Sequence, residues 1–297
     1  VKKIVSLTLA VVALLALAGC SPAEQTRWQA GNGPIKIVAS TNVWGSVANL
    51  VAGDLATVDA IIYNVNQDPH SYELTARDQL LINNADIVIM NGGGYDDFMQ
   101  QAIDADPTPA ITVDAFMASG DDETRNEHIW YDVDQVGDVA AVIGSAIESL
   151  DYANSNQIWT AVENFREKIS ARKAQLDALR ASPRSVFLTE PLVHYLVEDA
   201  GYSDVTPAEF SEAIEEERDV PPAVMQEAID LIKNNKVEAI YVNGSTQTSQ
   251  IEILLSVNTK IPNYQFSELL NQDPDTLEYD GGYFEMLDGA IQLVIGQ

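Results

Sequence analysis

The chain has one cysteine, Cys20, three histidines, and only 16 basic residues against 45 acidic ones in a length of 297. Each scarcity excludes something. A single cysteine rules out an intrachain disulfide framework and any multi-cysteine zinc or iron–sulfur site. A formal charge of −29 makes nucleic acid and anionic lipid headgroups poor partners. The His-Glu-x-x-His signature of zinc hydrolases is missing. No internal repeat is evident.

One long apolar run does occur. Lys2 and Lys3 precede an uncharged stretch from Ile4 to Ala18 that stops at Gly19-Cys20. It is shorter than the roughly 20 residues that cross a bilayer, and small polar residues follow it, so residues 1–19 are expected to be a signal peptide. Leu17-Ala18-Gly19-Cys20 resembles the lipobox of bacterial lipoproteins, whose cysteine is lipidated and becomes the first residue of the mature chain. Cys20 is therefore the expected lipid anchor of an extracytoplasmic, membrane-tethered protein; acyl chains gain about 0.8 kcal/mol per buried methylene, and several together hold firmly. Residues 20–34 read as a flexible tether, rich in Gly, Ser, Pro, Gln and Asn. Loss of residues 1–19 removes two lysines and no acid, leaving 45 acidic and 14 basic residues and a formal charge of −31.

The remaining length fits two lobes of ordinary domain size. Ile37 to Ala39, Val58 to Tyr63, Ile87 to Met90 and Ile111 to Val113 read as strands, with helices starting near Trp44, Leu74 and Asp97. This βαβ rhythm predicts a parallel sheet in an N-terminal lobe, residues 35–151. From Tyr152 to Ser182 there is no glycine or proline, and Ile158, Trp159, Val162, Phe165, Ile169, Leu176 and Leu179 recur at helical spacing. One long helix is expected over 152–182, ended by Pro183. Its apolar stripe is too irregular for the sustained heptads of a coiled-coil dimer, so a monomer is expected.

The rhythm then resumes, with strands expected at Ser185 to Leu188, Ala239 to Val242 and Asn263 to Phe266, and helices at Leu192 to Asp199, Ala223 to Asn234 and Gln247 to Val257. The expected fold is α/β: two lobes with parallel sheets, the second spanning 183–297, joined by the long helix. Ligands of open parallel sheets sit beyond the carboxyl ends of strands, so two facing lobes would create a cleft site.

His70, His128 and His194 are the only histidines. His70 lies in Asp68-Pro69-His70-Ser71-Tyr72-Glu73, just after a predicted strand; His128 lies in Asn126-Glu127-His128-Ile129-Trp130-Tyr131-Asp132, where Asp132 is expected to cap the following helix. Trp130 and Tyr131 read as packing residues that exclude water. In these surroundings the sequence resembles the metal-binding lipoproteins of bacterial zinc and manganese ABC importers, the cluster A-I solute-binding family. That family places its first ligand in an Asp-Pro-His segment and its second in Asn-Pro-His-aliphatic-Trp; here Glu127 replaces the proline, expected to change loop stiffness without touching the ligand. Further similarity lies at Ala39-Ser40-Thr41-Asn42-Val43-Trp44, at Asn91-Gly92-Gly93-Gly94-Tyr95-Asp96 and in the long helix.

The resemblance implies a third ligand at Glu190, in Glu190-Pro191-Leu192-Val193-His194, with Pro191 suited to a first helical turn. His194, one turn on, is the alternative third ligand or a supporting partner. The fourth implied ligand is Glu268, in Ser267-Glu268-Leu269 after the last strand. Two imidazoles and two carboxylates suit Mn(II), Fe(II) and Zn(II) better than Cu(I), although the Irving–Williams order favours zinc at equilibrium. Zinc importers of this family often carry a histidine-rich loop before the second ligand, and Met117 to Glu127 holds no histidine, so Mn(II) is expected over Zn(II), with Fe(II) allowed.

The resemblance implies capture of the ion and delivery to an ABC permease driven by its ATPase. Alternatives are a surface adhesin and a hydrolase using a metal-bound water; four protein ligands would close the open position that hydrolysis needs. The acidic stretch Glu209 to Asp219 reads as a solvated surface.

Overall fold

A computed structural model describes Trp28 and residues 33–120, 126–246, 248–270 and 282–296. The expected signal peptide, the anchor at Cys20 and most of the tether lie outside these residues, as does the acidic segment 121–125.

The first half alternates β1 (Ile35–Thr41), α1 (Asn42–Ala52), β2 (Ala56–Ile62), α2 (Ala76–Asn83), β3 (Ile87–Met90), α3 (Asp97–Ala105) and β4 (Ile111–Asp114), followed by a single turn at Ala115–Ala118 and by α4 (Val136–Leu150). All strand pairings are parallel, in the order β2-β1-β3-β4, with Ile37 opposite both Val58 and Ile87. β3 is apolar throughout, and β1 is buried at every residue but Lys36, because helices cover both faces of the sheet's centre.

The bridging helix, α5 (Ser155–Leu179), has 25 residues and so spans about 37 Å at 1.5 Å per residue. It is shorter than expected at both ends. Tyr152–Asn154 form a 3-10 turn, and the chain leaves the helix at Arg180, ahead of Pro183, which disfavours helical geometry in Ser182. Ile158, Val162, Phe165, Ile169 and Leu176 form its buried face. Against α4 the approach is close: a Cβ on Gly144 would stand 2.8 Å from Val162 Cγ2.

The second half continues with β5 (Ser185–Leu188), a 3-10 turn at Pro191–Val193, α6 (His194–Asp199), β6 (Ser203–Asp204), α7 (Ala208–Glu215), α8 (Pro222–Lys233), β7 (Ala239–Asn243), α9 (Ser249–Val257), β8 (Asn263–Phe266) and α10 (Tyr283–Ile295). Its sheet is again parallel, in the order β6-β5-β7-β8. The two-residue β6 is exposed and carries no apolar pattern, so nothing in its sequence announces it.

One hydrophobic cluster runs through both sheets, joining Ile37 and Ile87 to Val186, Leu188 and Tyr241 through α5. The last helix crosses back to the first half. Tyr283 donates its hydroxyl to the Trp130 carbonyl at 2.7 Å, and its backbone N–H donates to Ser46 Oγ at 2.9 Å. Asn42 likewise donates to the Leu270 carbonyl at 2.8 Å and accepts its N–H at 3.0 Å.

Candidate metal centre

A cavity of about 350 Å³ opens beyond the carboxyl ends of strands from both sheets and is lined by Asp68, His70, His128, Glu190, Glu215 and Glu268, among others. His70 comes from the loop after β2, Glu190 lies two residues beyond β5, and Glu268 two beyond β8. All four sequence-predicted ligands therefore face one cavity. His194 does not line it: this side chain is 44% exposed and lies 3.9 Å from Glu198 Oε2, one turn along α6.

Each cavity histidine is oriented through Nδ1. For His70 the partner is Asp68, whose Oδ1 lies 3.1 Å from Nδ1 and accepts the His70 backbone N–H at 2.9 Å, while Oδ2 accepts the Ser71 hydroxyl. Nε2 is left facing Glu127 Oε1 at 3.7 Å. Burial opposes charge on His70, but the hydrogen bonds to Asp68 and Glu127 outweigh it and lift the pKa to about 10. The bond to His70 draws Asp68 down to about 2. The loop is thus a field that stabilises positive charge.

His128 is 1% exposed. Asn126 Oδ1 lies 2.7 Å from its Nδ1 and also accepts its backbone N–H, a pairing that puts the proton on Nδ1 and the lone pair on Nε2. Burial pushes the imidazole down to about 4, which keeps it neutral and able to donate that lone pair. As expected, Trp130 and Tyr131 are buried, and the Trp130 ring packs 5.2 Å from that of His128. Asp132 differs from expectation. It bonds the Asp134 and Gln135 N–H groups of the turn before α4 rather than capping the helix itself.

Tyr95, fully buried, stands between the histidines with its ring 4.9 Å from His70 and 5.8 Å from His128. Its hydroxyl donates to Glu268 Oε2 at 3.5 Å. The turn that carries it needs glycine: Gly92 has φ 76°, and a Cβ there would fall 2.4 Å from Asp114 Oδ1.

Glu190 and Glu268 are 5% and 7% exposed. Asn243, at the end of β7, holds them together: its side-chain amide donates to Glu190 Oε2 at 2.5 Å and to Glu268 Oε1. Burial raises both carboxyls, and the neighbouring Glu190 charge helps bring Glu268 to about 7. Glu190 Oε1 is buried with no hydrogen-bond donor among the described residues. Two buried carboxylates side by side, one with an orphan oxygen, form an arrangement that a divalent cation relieves.

Two acids exceed expectation. Glu127 is not a mere stiffness change, since its carboxylate reaches His70. Glu215, in the stretch read as solvated surface, turns inward from the end of α7, with Oε1 3.8 Å from His128 Nδ1 and no hydrogen-bond donor among the described residues. Donor atoms of Glu127, His128 and Glu215 lie within 4.8 Å of one another. Burial and the adjacent Glu127 charge raise Glu215, while the histidines overcome burial to lower Glu127. The sequence signal for Asn243 was a polar residue closing an apolar strand; that for Glu215 was weak, because acids flank it.

The profile of the family described as "zinc-uptake complex component A periplasmic" matches residues 37–294. The chain is 25% identical over 254 residues to the manganese-binding lipoprotein MntA of Halalkalibacterium halodurans, covering 82% of each chain. To the iron-binding protein YfeA of Yersinia pestis it is 24% identical over 242 residues, 78% of this chain and 74% of the relative. Among solved structures, the solute-binding protein FpvC of Pseudomonas aeruginosa in complex with Mn2+ superposes with a TM-score of 0.74 at 20% identity, over 88% of this chain and 97% of that one. The periplasmic zinc-binding protein TroA of Treponema pallidum gives 0.72 at 17% identity, over 89% and 98%.

Proposed function

Because the chain belongs to the zinc-uptake component A family of periplasmic metal-binding proteins, we propose that it captures a divalent transition-metal ion in the interlobe cleft and hands it to an ABC importer. His70, His128, Glu190 and Glu268 are the ligands. The observation that carries this reading is the Asn243 clamp, which holds Glu190 and Glu268 together in the cavity that His70 and His128 also line. Two imidazoles oriented through Nδ1, His128 already neutral and His70 once it has given up its proton, and two paired carboxylates make a mixed nitrogen and oxygen donor set.

Mn(II) is the preferred cargo over Zn(II), and Fe(II) is accepted. Bidentate carboxylates can raise the coordination number above the four of tetrahedral zinc, and Met117 to Glu127 holds no histidine. Relatives named for manganese and iron support that range. The protein acts as a monomer, anchored through lipidated Cys20, and docks on a permease powered by its ATPase. It is a carrier rather than an enzyme, because four protein donors leave no open position for a reacting water.

The test is metal content and affinity of purified residues 20–297 beside His70→Ala, His128→Ala, Glu190→Ala and Glu268→Ala. One equivalent of Mn(II) in the parent and its loss in each variant is expected; retained stoichiometry removes that residue from the ligand set. Metal-dependent uptake into cells decides the cargo, and zinc uptake equal to or tighter than manganese uptake refutes the manganese preference.

A further inference from the structure

One short segment beside the metal centre touches both lobes. We propose that Asn126 is a positioning residue that joins them: it couples the orientation of His128 to closure of the cleft, so that the ion is released only when this residue lets go of one side. The inference rests on the binding reading above.

The bonds of the Asn126 side chain point two ways. Oδ1 accepts the backbone N–H of His128 and lies 2.7 Å from that residue's Nδ1, while Nδ2 donates to the Pro191 carbonyl at 2.7 Å. Pro191 follows Glu190, the proposed ligand from the second lobe. The backbone adds a further link, because the Asn126 carbonyl accepts the Tyr195 hydroxyl of α6 at 2.6 Å. On the side of the first lobe, Asn91 donates to the Glu127 carbonyl at 3.0 Å and accepts the Trp44 indole N–H at 3.0 Å. Other bonds also cross between the lobes, such as that from Tyr131 to the Ser267 carbonyl at 2.7 Å, but they hold the lobes without gripping an imidazole.

A side-chain amide is one planar group whose oxygen and nitrogen keep a fixed separation. When the lobes part, Pro191 moves away from Nδ2. If the amide follows, Oδ1 turns off the His128 ring; if it stays, the bond to Pro191 breaks. Opening therefore costs either a bond between the lobes or the aim of a ligand. An ion on Nε2 of His128 fixes the ring, the amide behind it and hence Pro191, so metal held by one lobe restrains the other.

Co(II) is the probe: its visible spectrum reports coordination, titration gives stoichiometry, and mixing the loaded protein with excess chelator gives the release rate. The parent is compared with N126A, N126S and Y195F, and circular dichroism and urea unfolding check each fold. Serine keeps an oxygen that accepts from the turn but is too short to reach Pro191, and Y195F removes the hydroxyl alone. Loss of one hydrogen bond of ordinary net strength shifts the closed-to-open ratio by roughly two- to tenfold. N126S and Y195F are therefore expected to bind one equivalent with the parent spectrum and to release it at least twofold faster. N126A is expected to release it faster still, with an altered spectrum, because His128 is no longer aimed. Release less than twice as fast as the parent's in N126S or Y195F, or the parent spectrum in N126A, overturns the joint and leaves the four-ligand site standing. If N126A does not fold, the rates of the other two variants decide. Failure of the parent to bind one equivalent overturns the binding reading itself.

Discussion

Replacing Asn243 with alanine tests how far the site depends on a residue outside the proposed ligand set. Its amide donates to both Glu190 and Glu268 while sitting 2% exposed, so nothing from solvent takes its place. A hydrogen bond to a charged group contributes about 1.5–3 kcal/mol, and loss of a residue that orients a metal ligand weakens binding roughly 10–100-fold. At about 1.4 kcal/mol per decade that is roughly 1.4–2.8 kcal/mol, in keeping with one such bond rather than two, because both carboxyls can relax toward the ion once freed. Mn(II) affinity is read by calorimetry against a competing chelator, with Asn243→Asp as a second variant of the same shape that cannot donate when ionised. Both are expected to bind at least tenfold more weakly than the parent with an unchanged far-ultraviolet spectrum. A dissociation constant within twofold of the parent in the alanine variant refutes the clamp.

Metal binding should release protons: Glu268, raised to about 7, and His70, raised to about 10, must lose theirs to coordinate, so affinity rises between pH 5 and pH 8. Calorimetry in two buffers of different ionisation enthalpy counts those protons, and a buffer-independent heat contradicts the expectation. His194→Ala should leave metal stoichiometry and affinity unchanged in the same titration, since that side chain faces Glu198 outside the cavity. Gly144→Ala should cost about 1–3 kcal/mol in urea unfolding, because its methyl would press on Val162 at 2.8 Å. Tyr283→Phe should cost about 1–3 kcal/mol by leaving the buried Trp130 carbonyl without its donor.

Most strands were legible because runs such as Ile87 to Met90 and Val186 to Leu188 are apolar on both faces of a covered parallel sheet, a pattern the linear sequence displays directly. β6 was not, since Ser203 and Asp204 are placed by backbone bonds to β5 and bury no side chain. His70, His128, Glu190 and Glu268 could be nominated one at a time from their positions after strands and from the resemblance. What holds them could not. Asn243 meets Glu190 across 53 residues, and Tyr95 meets Glu268 across 173, contacts that only the folded chain creates. Glu215 was hidden for another reason. Phe210, Ala213 and Ile214 bury one side of α7, and that rotation decides which acid in a run of acids points inward.

The contacts that join Asn42 to Leu270 span 228 residues, and α10 lies beyond them in the chain. Synthesis runs from the amino end. Both cavity histidines and Glu190 are therefore made long before Glu268, and the Tyr283 brace to Trp130 has no donor until the last helix is added. The four proposed ligands come from loops so far apart in the chain that the set is complete only when the polypeptide is nearly finished.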